Sequence, residues 1–267
     1  MSKFQLHVSG IQMLSRCGIQ FERRYLNGEK LPPGVAITIG SAVDRTVTDD
    51  LSRKIESGEL LPAEAIRDYA RDHCSELWDR GIELEDEYAE LGADKARATA
   101  IDASVALASL HHEKAAPRIE PTHVQRRWTL DISGFALQLA GAIDIQEGLT
   151  AIRDTKTSGK SPNAGAADRS LQLTTYCLAV RQHDGRVPDK VALDYLVRTK
   201  TPKLVQLEST RTDAHFRHLF ARIEQAARCI ESGIFTPADP DHWACSKQFC
   251  GYWQTCPYAV HPVSVGT

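Results

Sequence analysis

The chain has 267 residues, 42% of them hydrophobic and 25% charged, a composition that excludes disorder, collagen-like repeats and coiled coil and calls for one large core or two small ones. Its 32 basic against 35 acidic residues leave a net charge of −3, so no global basic field marks a nucleic-acid binder and any contact with DNA must be local. The central uncharged stretch Ile132–Ile143 holds 12 residues, far below the roughly 18 to 20 of a membrane span, and the opening MSKFQLHVSG lacks a basic region followed by an apolar one, which predicts no membrane contact and a reducing cytoplasm.

In chain order, the apolar residues of Gly10–Tyr25 predict one helix or two short ones with Ser9 as N-cap. After Leu31-Pro32-Pro33-Gly34, a second helix is expected from about Ile39-Gly40 to Gly58, and Pro62–His112 reads as two or more helices rich in Ala, Leu, Glu and Arg. Three strands follow, His123–Leu130, Phe135–Ile145 and Ala151–Thr157, with turns at Ser133-Gly134 and Glu147-Gly148. Ser170–His183 is a helix, and Val191–Thr199 with Leu204–Thr210 a hairpin. Thr212–Ser232 is an amphipathic helix with Phe216, Leu219, Phe220, Ile223, Ala227 and Ile230 on its apolar face, ended by Gly233. The tail Pro237–Pro262 is rich in Cys, Trp, Tyr and Pro and has no period. The expected fold is a single α/β domain over residues 1–267, a central mixed sheet flanked by helices with a helical insertion at about 45–116.

The chemistry concentrates in the three strands. Asp144 closes one and Asp154-Thr155-Lys156 lies on the next, so the turn between them brings two carboxylates together. Asp154 and Lys156 share a strand face because side chains alternate with period 2. Converging carboxylates repel one another unless a divalent cation sits between them, and oxygen ligands of this kind suit Mg²⁺ or Mn²⁺. A neighbouring lysine can position a metal-activated water and stabilise charge developing on a phosphate. Taken alone, the D-x-K triplet also describes a pair of solvent-facing strand charges.

The ordered set Gly141-Ala142-Ile143-Asp144, Arg153-Asp154-Thr155-Lys156-Thr157 and Gln172-Leu173-Thr174-Thr175-Tyr176 resembles the PD-(D/E)XK nuclease superfamily in its RecB-like branch. The resemblance implies a restriction-endonuclease-like core at about 120–232, with Asp144, Asp154 and Lys156 as catalytic residues. It implies Asp144, Asp154 and Thr155 at the metal, and Gln172 and Tyr176, on one helix face, toward the substrate. The branch places a G-x-x-x-H motif near its start. Here Gly40-Ser41-Ala42-Val43-Asp44 carries Asp in place of His, either a third carboxylate ligand or a helix-surface charge. Glu120 corresponds only loosely to an acidic residue used near the metal by some relatives.

Seven cysteines, an odd number in a reducing compartment, suggest metal rather than disulfides. Cys245, Cys250 and Cys256 form a C-x₄-C-x₅-C pattern, and the segment around Cys17 resembles the start of RecB-like nucleases that carry an iron–sulfur cluster, among them the AddB, CRISPR-associated adaptation and exonuclease V groups. That resemblance implies a [4Fe–4S] cluster held by Cys17, Cys245, Cys250 and Cys256, clasping the N-terminal segment to a tail at about 237–260. Zn²⁺ is the alternative metal for four cysteines. Cys74, Cys177 and Cys229 read as buried small hydrophobes. Trp243, Phe249, Tyr252 and Trp253 are expected around the cluster, or stacked on a base.

The function implied is metal-dependent cleavage of DNA, exonucleolytic on single strands or duplex ends, in recombination, repair or phage DNA processing, with a helicase or recombination protein as a candidate partner. The alternative is a non-catalytic DNA-binding subunit that keeps the iron–sulfur or zinc centre.

Overall fold

The computed structural model describes residues 3–260; His261 and Pro262, the end of the expected tail, lie outside them. In chain order the elements are β1 (Phe4–Leu6), α1 (Val8–Arg16), α2 (Gly18–Phe21), a π-helical turn at Glu22–Leu26, α3 (Val35–Ser57), α4 (Ala63–Asp79), α5 (Asp86–Ala89), α6 (Ala93–Lys114), β2 (His123–Asp131), β3 (Leu137–Glu147), β4 (Ala151–Ser158), α7 (Leu171–Asp184), β5 (Lys190–Val197), β6 (Lys203–Ser209) and α8 (Asp213–Ser232). The chain divides into two compact units, Pro32–Thr129 with Gly141–Phe216, and Met1–Leu31 with Leu130–Ala140 and Arg217–Thr267.

In the larger unit α3 carries Val35, Ile39, Ala42, Val43, Val47 and Leu51 at helical spacing, and all are buried with Cys74 of α4 and Ala96, Ala100 and Leu107 of α6. Small residues every fourth position of α6, Ala96, Ala100, Ser104 and Ala108, let its backbone approach the neighbouring helices closely. Asp50, on the buried face of α3, is satisfied rather than misplaced: the Leu61 N–H donates to it at 2.9 Å and His112 Nδ1 lies 2.9 Å away. The helix begins at Val35, four residues before the expected Ile39, because the Val35 N–H is capped by Glu85 Oε2 at 3.0 Å, a distant partner that local sequence does not reveal. Gly58, at φ +78°, ends it in the left-handed conformation.

The sheet of this unit is mixed: β3 pairs antiparallel with β4, β4 parallel with β5 and β5 antiparallel with β6, while β2 pairs with β3. The parallel β4–β5 pair needs a crossover, and α7 supplies it. Ser170 Oγ accepts from the Leu173 N–H at 3.2 Å to cap α7. Beneath the sheet Arg153, Asp194 and Glu147 form a buried ionic network, with Arg153 Nε donating to Glu147 at 2.6 Å and its Nη1 to Asp194 at 3.2 Å.

In the smaller unit β1, absent from the sequence expectation, pairs parallel with Leu137–Leu139; three residues are too few for a periodic signal. Phe21 is fully buried, stacks on Tyr25 at 5.2 Å and meets Phe235 at a tilt at 5.9 Å. Ser9 is not an N-cap. His7 occupies that position, α1 starts at Val8, and Ser9 Oγ instead meets the Tyr25 hydroxyl at 3.0 Å. On α8, Leu219, Ile223 and Ala227 are buried whereas Phe220 is 45% exposed, because one step along a helix turns it about 100° off that stripe. Cys74 and Cys177 are buried as expected, but Cys229 is only half-buried.

Candidate active site and cysteine cluster

Strands β3 and β4 pair only from Ile145↔Arg153 to Glu147↔Ala151. Asp144 and Asp154 stand one step beyond the last pair, where the strands part; β3 itself runs on to Glu147, so Asp144 lies inside it rather than at its end. Gly141 explains the opening residue of its motif: a Cβ there would lie 2.8 Å from the Trp128 ring, so only glycine lets the indole close over β3. The cleft beside these carboxylates has a volume of about 570 Å³ and is lined by Gly40, Ser41, Asp44, Gln125, Asp144 and Lys156, together with Thr155. Asp44 reaches it from α3, which passes close enough to β4 that a Cβ on Gly40 would be 3.0 Å from Thr157 Oγ1.

Two carboxylates, Asp44 and Asp144, thus line the cleft with the Lys156 ammonium, and a third, Asp154, lies buried against that ammonium. Asp154 is fully buried, and Lys156 Nζ donates to its Oδ1 at 2.9 Å and lies 2.7 Å from its Oδ2. Burial, then the neighbouring Asp154 carboxylate, then Asp44, push Asp144 well above the ordinary carboxylate value. Asp44 is raised for the same reasons, burial first and Asp154 second. Burial works against the Lys156 ammonium, but Asp154, Asp144 and Asp44 more than offset it and raise its pKa, so it stays charged. The donor set is that of a hard divalent cation, and the excess of carboxylates over ammonium is what such a cation offsets. Among the described residues no three His, Cys, Asp or Glu side chains are yet arranged to hold a metal ion; Lys156 and Tyr176 engage the carboxylate oxygens instead.

Gln172 and Tyr176, one turn apart on α7, complete a hydrogen-bonded circuit. Lys156 Nζ donates to Gln172 Oε1 at 3.0 Å, Gln172 Nε2 to the Tyr176 hydroxyl at 2.6 Å, and that hydroxyl to Asp144 Oδ1 at 3.1 Å. Burial, followed by Asp144 and Asp154, raises the Tyr176 pKa, which keeps it a donor. Glu120 is elsewhere: it pairs with Lys54 Nζ at 3.0 Å, near the far end of α3. Sequence reasoning missed Gln125, whose Nε2 lies 3.3 Å from both Asp44 oxygens. Neither composition nor spacing singles it out.

In the smaller unit all four clustered cysteines are half-buried free thiols. Cys17 sits between α1 and α2 in extended conformation, and the next residue docks on the late segment: Gly18 N–H donates to Thr236 O at 2.7 Å. Gln20 Nε2 reaches Cys250 Sγ at 3.6 Å. Burial first, then the proximity of Cys17 and Cys256, raises Cys245; Cys250 is likewise raised by burial and by Cys17, Cys256 and Cys245. Among the described residues these thiols, too, are not arranged as a group that could hold a metal ion. Tyr252 is buried and donates its hydroxyl to Glu29 O, whereas Trp243 and Phe249 are exposed and meet edge to face at 5.3 Å.

Comparison with solved structures finds a presumed exonuclease from Eubacterium rectale, 14% identical, with a TM-score of 0.62 over 99% of this chain and 92% of that one, a likeness of fold. The structure of SSO0001, 13% identical, aligns over 95% of this chain and 96% of that one with a TM-score of 0.39. Among curated proteins no sequence matches. The model of the PD-(D/E)XK nuclease superfamily matches residues 5–257, a span that takes in α3, the diverging β3 and β4 strands and α7, and the chain belongs to that superfamily.

Proposed function

We propose that the chain is a Mg²⁺- or Mn²⁺-dependent deoxyribonuclease of the RecB-like type, acting as an exonuclease on single-stranded DNA or duplex ends. The observation that carries this reading is the gathering of Asp44, Asp144 and Lys156 in one open cleft, with the buried Asp154 held against the Lys156 ammonium. Asp144 and Asp154, with Asp44 and Thr155, would hold the cation, which when bound supplies Lewis acidity and an activated water. Lys156 then leaves part of its contact with Asp154 to orient that water and to meet the negative charge growing on the phosphate. Tyr176 fixes the Asp144 carboxylate and Gln172 fixes the Lys156 ammonium, so both act on the substrate phosphate through the groups they hold. The fold likeness to a presumed exonuclease supports the exonucleolytic form.

The four cysteines of the smaller unit are read as ligands of a [4Fe–4S] cluster, supported by the C-x₄-C-x₅-C spacing of three of them and by the docking of Gly18, next to Cys17, on Thr236. Zinc is the competing ligand chemistry. Repair or recombination is the setting, and DNA the partner.

A time course with 5′- and 3′-labelled single-stranded and duplex DNA, run with Mg²⁺, with Mn²⁺ and with chelator, tests the proposal. Metal-dependent release of mononucleotides or short oligonucleotides from ends, lost in Asp154→Asn, is expected. DNA binding without cleavage under all metals would select the non-catalytic subunit.

A further inference from the structure

Gln125 has φ +48° and is the one non-glycine residue with positive φ among the described residues. The left-handed region is costly for a side chain other than glycine and survives where surroundings enforce it. Its effect is visible in the faces of β2. With period 2, Val124 and Arg126 would share a face and Gln125 would oppose them. Instead Val124 packs on the α3–α6 core and Gln125 turns the same way to Asp44 of α3, while Arg126 pairs with Asp184 of α7 at 2.6 Å. Two successive residues of β2 thus reach the helical core and Asp44 of α3, and a positive φ between them is the kind of local distortion that re-aims a residue beside a functional site.

We propose that Gln125 is a positioning residue for Asp44: the left-handed kink of β2 aims its carboxamide at both oxygens of that carboxylate and fixes Asp44 as a third ligand of the divalent cation. This rests on the metal-dependent reading of the cleft. Nε2 donates at 3.3 Å to each oxygen, a long but two-sided contact. A neutral amide suits this role because a lysine or arginine would compete with the cation for the carboxylate, and a carboxylate would add repulsion.

The experiment is Mn²⁺ binding by calorimetry, with thermal melting of the same samples, on wild type, Gln125→Ala, Gln125→Gly, Asp44→Ala and the Gln125→Ala/Asp44→Ala pair. Gln125→Ala should weaken Mn²⁺ about fivefold, the effect of one ordinary hydrogen bond. Gln125→Gly should weaken it equally while melting at the same or higher temperature, since glycine relieves the strained φ. A purely structural role would move stability and affinity in the same direction. The paired variant should bind no more weakly than Asp44→Ala alone. Wild-type affinity in both Gln125 variants, with Asp44→Ala weakened, overturns this proposal and leaves the reading of the cleft standing. No Mn²⁺ binding by the wild type overturns both.

Discussion

Asp144 and Asp154 stand opposite one another at the first unpaired step of β3 and β4, and each is held by a different neighbour: the Tyr176 hydroxyl donates to Asp144 Oδ1 at 3.1 Å and the Lys156 ammonium to Asp154 Oδ1 at 2.9 Å. Continued pairing would seal this position inside the sheet. The parting strands admit α7 through Tyr176 and leave the cleft open to Asp44 and Lys156.

Asp154→Asn, Asp144→Asn and Lys156→Ala should each lower cleavage about 10²-fold or more, the loss of several kcal/mol of transition-state stabilisation. Circular dichroism should show an intact fold in all three. Cleavage near the parent rate by purified Asp154→Asn or Lys156→Ala would remove the catalytic assignment.

The raised pKa of Asp144 makes a prediction about pH. Without metal the folded state holds this proton more tightly than the unfolded chain, so the stability it confers is present below 3.8 and is lost as pH rises through the folded value. The melting temperature of Asp144→Asn relative to wild type, in chelator, should therefore climb above pH 3.8 and then level off. A difference that does not vary with pH would mean that Asp144 is not pressed by its neighbours.

Tyr176→Phe removes the hydroxyl between Gln172 and Asp144 and should reduce kcat about tenfold, with DNA affinity nearly unchanged. If affinity fell and kcat did not, the hydroxyl would contact substrate directly, as the sequence resemblance first implied.

Anaerobically purified protein should be brown and contain about four irons per chain. Cys17→Ser and Cys250→Ser should bleach it, while Cys74→Ser and Cys177→Ser, buried in the larger unit, should not. Gly18→Ala should also lower iron content and melting temperature, because its Cβ would lie 2.7 Å from Thr236 N and 2.8 Å from Thr236 O and backbone cannot yield as a side chain does. A colourless protein with one zinc per chain would select zinc, and a brown Cys17→Ser would reassign the fourth ligand.

Most of the order of elements was legible in the sequence because its signals are local: the turn residues before α3, the strand runs ended by Gly134 and Gly148, the apolar stripe of α8. So was the grouping of Asp144, Asp154 and Lys156, since a hairpin and period 2 bring them together whatever surrounds them. Other features depended on partners far along the chain. Glu85 sets where α3 starts, Leu137–Leu139 makes a strand of Phe4–Leu6, and Trp128 requires glycine at 141. Asp44 gave the sequence two readings, ligand or surface charge; only the passage of α3 beside β4 brings it to the cleft, and only the kink at Gln125 gives it a hydrogen-bond donor. A single left-handed backbone angle inside a strand leaves no periodic trace in the residues that carry it, so it was visible only in the tertiary structure.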